Sequence, residues 1–152
     1  MQQNNSNNKI VYTKQEREKN NNEILSNFTV LDNECFSNCW NLQSIVIPTN
    51  IEQLGDFCFK YCFYLTSIEL PSTLKEIGNN CFDRCTLLTS MEIPSLVTKI
   101  GKNCFYGCYN LKRIKISSLV ISVGENCFKR CGNLEILEIP NEWKIHKEIM
   151  FI

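Results

Sequence analysis

The feature that most constrains this chain is a repeat of fixed length. Residues 51–73 read IEQLGDFCFKYCFYLTSIELPST, and residues 74–96 follow as LKEIGNNCFDRCTLLTSMEIPSL. Residues 28–50, 97–119 and 120–142 are further copies. The Cys-Phe pair recurs at Cys35, Cys58, Cys81, Cys104 and Cys127, always 23 residues apart. A single coil of this size cannot bury its own apolar face. A period held through five copies without an insertion therefore predicts a solenoid, in which stacked coils share one core.

Three pieces are legible within each copy. The first is Leu65-x-x-Ile68-x-Leu70, repeated as Leu42/Ile45/Ile47, Leu88/Met91/Ile93, Leu111/Ile114/Ile116 and Leu134/Leu137/Ile139. Its last two apolar positions alternate with a polar one, the period of a half-buried strand. Stacking sets these strands side by side in a parallel sheet. Pro48, Pro71, Pro94 and Pro140 end them, with Ser117 in that place in the fourth copy, because proline has no N–H for a ladder.

The second piece is the pair Ile51/Leu54, with Leu74/Ile77, Val97/Ile100 and Val120/Val123, which predicts a shorter strand row on another wall. Gly55, Gly78, Gly101 and Gly124 follow it, and Asp32 fills their place in the first copy. A glycine fixed there predicts a corner with positive φ. The third piece carries C-F-x-x-C and predicts a single helical turn. Its phenylalanines, Phe36, Phe59, Phe82, Phe105 and Phe128, form the expected aromatic spine of the core.

The ten cysteines fall in two repeat columns, so their number follows the number of copies. Within a copy the spacing is C-x3-C, which on a helical turn points both side chains the same way, a poor disulfide geometry. It also differs from the C-x2-C of zinc knuckles. The expectation is buried, reduced, small apolar residues, with no metal and no cofactor.

Residues 1–27 are polar and outside the repeat. They are expected to be a mobile tail with a short helix over residues 14–19 capped by Thr13. Residues 143–152 break the pattern, since Lys147 stands where the glycine should. They read as a C-terminal cap or an incomplete sixth repeat, or as apolar residues that pair two copies end to end into a homo-oligomer.

Sixteen basic and sixteen acidic residues leave no net charge, which argues against a nucleic-acid partner. No run approaches the roughly 20 apolar residues of a membrane span, so membrane insertion is not expected. Residues 1–8 do not read as a signal peptide. The expected compartment is the cytoplasm, with the cell surface, reached by unconventional export, as the alternative.

The unit [I/L/V]-x-x-[I/L]-G-x-x-C-F-x-x-C-x-x-L-x-x-I-x-[I/L]-P resembles the BspA-like class of leucine-rich repeats over residues 28–142. In that class the residue before the phenylalanine is usually Ala. Here it is Cys, similar in size. The resemblance implies a leucine-rich repeat solenoid, mostly β within the α/β class, with parallel strands on a concave wall. Short strands and single helical turns lie on the other side. It implies protein recognition, without shared catalytic residues and so without an enzyme activity. Relatives include bacterial surface adhesins, which makes adhesion to a host or matrix protein or glycan the alternative function.

In such a coil the residues between the buried strand positions face outward on the concave wall. The candidate partner-binding residues there are Glu69, Glu92, Lys112, Arg113, Lys115, Glu135 and Glu138. At about 4.8 Å between strands, Lys115 falls between Glu92 and Glu138, and Lys112 beside Glu135. Trp40, Tyr61, Phe63, Tyr64, Tyr106 and Tyr109 form a candidate aromatic rim. The wall alone covers roughly 300 Å², against the ~800 Å² per partner of a standard interface, so rim or oligomer contacts are needed.

Overall fold

The computed structural model describes residues 9–139. The chain runs β1 (Val11–Tyr12), α1 (Lys14–Lys19), β2 (Val30–Leu31), β3 (Ser44–Val46), β4 (Gln53–Leu54), β5 (Ser67–Glu69), β6 (Glu76–Ile77), β7 (Ser90–Glu92), β8 (Lys99–Ile100), β9 (Arg113–Lys115), β10 (Ser122–Val123) and β11 (Ile136–Glu138). Every strand pair is parallel, and between full coils the register advances by one repeat, Leu54 lying beside Ile77 and Ile77 beside Ile100. The molecule is a parallel β-solenoid of about five turns, mostly strand and with little helix. The two-residue strands form one continuous sheet in the order β1-β2-β4-β6-β8-β10.

The three-residue strands form the opposite wall. Its row is not continuous: β3 pairs with β5, and β7, β9 and β11 form a separate sheet. The single sheet expected from the repeat is therefore split between the second and third full coils.

The core lies between the walls. The rings of Phe36, Phe59, Phe82, Phe105 and Phe128 stack at 5.1–5.6 Å between centroids and within 12° of parallel. All five are fully buried, with Leu65, Leu88 and Leu111 beside them.

Residues 9–27 depart from the expected tail. β1 pairs with β2, and Tyr12 is fully buried and stacks 6.1 Å from Phe36, so it extends the aromatic column without the Cys-Phe motif. Its hydroxyl donates to the Glu23 carbonyl at 2.8 Å. The helix forms where Thr13 predicts it, the Thr13 Oγ1 accepting from the Glu16 N–H at 3.2 Å. The proposed cap over 143–152 lies outside the described residues.

The Cys-Phe segment is compact but is not one helical turn. Cys62 N–H donates to the Phe59 carbonyl and Lys60 N–H to the Phe57 carbonyl, both three-residue closures. Left-handed residues occur twice per coil, at Phe57 (φ 58°) and Tyr61 (φ 61°) in the second full coil and at Asn80 and Arg84 in the third. This arrangement aims alternate N–H groups along the stack: Phe57, Phe59 and Tyr61 donate to the carbonyls of Asn79, Cys81 and Asp83 at 2.8–2.9 Å.

The repeated glycines serve a different purpose from the expected corner. None of Gly55, Gly78, Gly101 and Gly124 has positive φ; Gly107 alone among the described glycines does. A Cβ on Gly78 would lie 2.5 Å from the Gly55 carbonyl carbon, and one on Gly124 would lie 2.3 Å from the Lys102 nitrogen. The column is glycine because the preceding coil's backbone occupies the side-chain position. Asp32 stands in that place in the first copy, where the preceding segment is Tyr12, Thr13 and α1 rather than another Cys-Phe coil, and its N–H donates to the Tyr12 carbonyl at 3.0 Å.

Candidate functional site

The sequence-derived charged residues share the three-residue strand wall. Glu69 ends β5, Glu92 ends β7, Arg113 and Lys115 bracket β9, and Glu138 ends β11. Lys112 and Glu135 precede β9 and β11, tied by their main chains, Glu135 N–H to the Lys112 carbonyl at 3.0 Å. All seven are exposed.

Their pairing is uneven. Lys115 donates to Glu92 at 2.8 Å, and Arg113 reaches diagonally to Glu138 at 3.9 Å. The hydrogen bond to Glu92, with the Glu92 and Glu138 charges behind it, holds the Lys115 ammonium above its ordinary pKa. Among the described residues no ion pair joins Lys112 to Glu135, and none reaches Glu69. Solvent screening keeps each exposed pair weak, so this surface contributes little to folding.

The aromatic residues divide into two groups. Trp40, Tyr64 and Tyr109 are 60%, 57% and 45% exposed, and lie a few residues ahead of the strands. Leu87, also exposed, takes the Tyr64 position in the next coil. Sequence reasoning missed it because it looked only for rings. Tyr61 is instead held on the turn wall between the Lys60 ammonium at 4.8 Å and the Arg84 guanidinium at 5.5 Å. Phe63 packs against it at 5.7 Å, and Arg130 covers Tyr106 at 5.5 Å. Such cation–ring contacts commit Tyr61 and Tyr106 to the molecule's own surface.

Beneath Tyr61, Asp83 is buried beside Lys60 at 3.1 Å and accepts from the Asn80 side chain at 3.1 Å. A second polar row runs behind the glycines. Asn33 Oδ1 accepts from Asp56 N–H at 2.7 Å, Asp56 from Asn79 N–H at 2.7 Å, and Asn79 from Lys102 N–H at 2.9 Å. The column after each glycine could have revealed this ladder.

The cysteines are unpaired thiols, nine of them buried. The second column donates backward through the stack: Cys62, Cys85, Cys108 and Cys131 reach the carbonyls of Phe36, Phe59, Phe82 and Phe105 at 3.1–3.2 Å. Burial pushes the Cys85 and Cys108 thiols well up and that of Cys131 up to about 12. They are held protonated, the opposite of what a metal ligand or nucleophile needs. No cluster of three or more metal-ligating side chains occurs among the described residues.

Fold and repeat together define a leucine-rich repeat solenoid. The profile of the BspA type leucine rich repeat region matches residues 29–152 in six copies, and the chain belongs to that family. A leucine-rich repeat protein from Bacteroides ovatus is 30% identical, with a TM-score of 0.72, over 76% of this chain and 30% of its own. A leucine rich cell surface protein from Faecalibacterium prausnitzii is 28% identical, with a TM-score of 0.76, over 84% of this chain and 34% of its own. The Treponema pallidum leucine rich repeat protein, 19% identical with a TM-score of 0.51, shares the fold. The chain thus spans about a third of the length of the first two structures. A search of curated proteins found no match. Repeats of this kind generally mediate protein–protein interaction, and the family's chains are non-enzymatic scaffolds.

Proposed function

We propose that this chain is a protein-recognition module, without catalysis of its own, that binds a protein partner across the three-residue strand wall and the aromatic edge leading into it. The observation that carries the reading is the placement of seven exposed charged side chains and the exposed Trp40, Tyr64 and Tyr109 on one stack of coils. The wall alone is too small for a stable complex, roughly 300 Å² against the ~800 Å² of a standard interface. Trp40, Tyr64 and Tyr109 add the large, stiff anchors that dominate interface energies. The ten unpaired thiols favour a reducing compartment, hence the cytoplasm.

The test is affinity purification of the tagged chain from its own cells, beside a variant in which Lys112, Arg113 and Lys115 are all Gln. Gln is chosen over Glu because a carboxylate at 115 would stand between Glu92 and Glu138. Loss of a partner at unchanged melting temperature supports the reading. Retention by the variant removes the basic cluster from the interface.

A second reading, adhesion at a cell surface, is favoured by the similarity to the Faecalibacterium prausnitzii cell surface protein. Labelling intact cells with an impermeant reagent separates the two. A labelled chain supports adhesion, and an unlabelled one removes it.

A further inference from the structure

The interruption of the strand wall has a specific chemistry. Thr66 N–H donates to the Gln43 carbonyl at 2.9 Å, and Lys112 N–H to the Thr89 carbonyl at 2.9 Å. At the other strand end, Ile47 N–H donates to the Glu69 carbonyl, Ile93 N–H to Lys115 and Ile116 N–H to Glu138. The corresponding bonds from Thr89 to Thr66 and from Leu70 to Glu92 are not formed. The gap is local, because β4 still pairs with β6 and the turn-wall ladder from Phe57 to Asn79 is intact.

The column explains where the gap falls. Glu92, Lys115 and Glu138 alternate in sign across β7, β9 and β11, and β3 offers Val46 to Glu69. Only between β5 and β7 does the column set like charges, Glu69 and Glu92, at equivalent positions, an arrangement that weakens pairing.

An open groove of about 430 Å³ lies there, lined by Ile68, Leu70 and Pro94 and by Glu69, Glu92 and Ser72 among others. Ile68 and Leu70, which are half-buried and pack against the core, contribute to its lining together with Pro94. The acceptors are the two carboxylates and the Glu92 main-chain carbonyl, which lacks the donor that its counterparts have. Glu92 is engaged by Lys115 from the far side, whereas Glu69 has no ion-pair partner among the described residues.

We infer that this gap seats a Lys or Arg side chain from a protein partner, its aliphatic stem along Ile68, Leu70 and Pro94 and its cationic head between Glu69, Glu92 and the Glu92 carbonyl. A long basic side chain buries its methylenes while its head keeps polar company, and three acceptors match the three donors of an ammonium group. The inference rests on the protein-recognition reading and narrows it to a basic anchor at one place on the wall.

The test is a titration of the ¹⁵N-labelled chain with unstructured nonapeptides of Gly, Ser and Ala carrying one central Lys, Arg, Gln or Glu. The Lys and Arg peptides are expected to shift the amides of Glu69, Leu70 and Glu92. Glu69→Gln, in a spectrum otherwise unchanged, weakens that binding about fivefold, the scale of one exposed charge pair. No shift at these amides at millimolar peptide, or an equal shift with the Glu peptide, overturns the inference. Shifts there that grow with protein concentration in the absence of peptide also overturn it, since a second copy then fills the gap. Failure here leaves the recognition reading standing if the Lys112, Arg113 and Lys115 variant still loses its partner.

Discussion

The rings of Phe59 and Phe82 lie 5.5 Å apart and 4° from parallel, in successive coils and out of reach of solvent. Each phenylalanine inside the column is therefore shared by two neighbours, and its loss leaves a cavity bounded by rings on both sides. Phe82→Ala is expected to cost on the order of 3–5 kcal/mol, as large-to-small changes in cores do. Phe82→Leu, which keeps an apolar side chain of intermediate size in the column, is expected to cost less. Urea unfolding of the two variants checks the order, and equal losses would argue against the cavity as the source of the cost.

The glycine column makes a prediction of similar clarity. Gly78→Ala places a Cβ 2.5 Å from backbone that cannot move without disturbing the neighbouring coil. A loss of about 1–3 kcal/mol is expected, as for other overpacked positions. Gly132→Ala meets nothing within 4 Å and is expected to change stability by less than about 0.5 kcal/mol. Thermal unfolding of both separates close approach from any general dislike of side chains in this repeat.

The split wall is testable by amide exchange. Thr89 and Leu70 N–H groups, which lack partners across the gap, are expected to exchange faster than Thr66 and Ile93, which have them. Glu69→Lys restores alternation along the column and is expected to slow exchange at Leu70 while adding about 0.2–1 kcal/mol. Equal protection of all four amides in the parent chain would mean that the wall closes in solution.

The thiols set a pH dependence. Burial raises Cys131 to about 12, and raises Cys62, Cys85 and Cys108 as well, from an ordinary value of 9.0. Above that ordinary value the unfolded chain gives up protons that the folded chain keeps, so folding stability falls as pH rises. The contribution is complete below about pH 8 and declines above about 9, by roughly 1.4 kcal/mol per pH unit for each such thiol. A urea midpoint that does not move between pH 7 and pH 10 would contradict the burial of these groups.

The sequence by itself determined the period, and with it the architecture. In-or-out alternation at Ile68 and its counterparts reports how a single coil meets its core, and a 23-residue repeat cannot satisfy that pattern without stacking. The aromatic column, the two cysteine columns, the strand positions and the identity of the outward charges were all legible for this reason. Thr13 as helix cap was legible too, because capping is a local hydrogen bond.

The tertiary structure decided what depends on distances between coils. Glycine at 78 is required by the Gly55 backbone beside it, which no propensity encodes. Tyr12 joins the aromatic column without the motif because an edge strand pairs with whatever backbone lies next to it. Glu69 and Glu92 share a column in the sequence, but whether repulsion opens their ladder depends on a balance. Main-chain hydrogen bonds worth about 1 kcal/mol each in net terms are set against one exposed charge pair. That balance falls on one side between β5 and β7 and on the other between β7 and β9, where Lys115 meets Glu92. It is decided only once the coils are stacked.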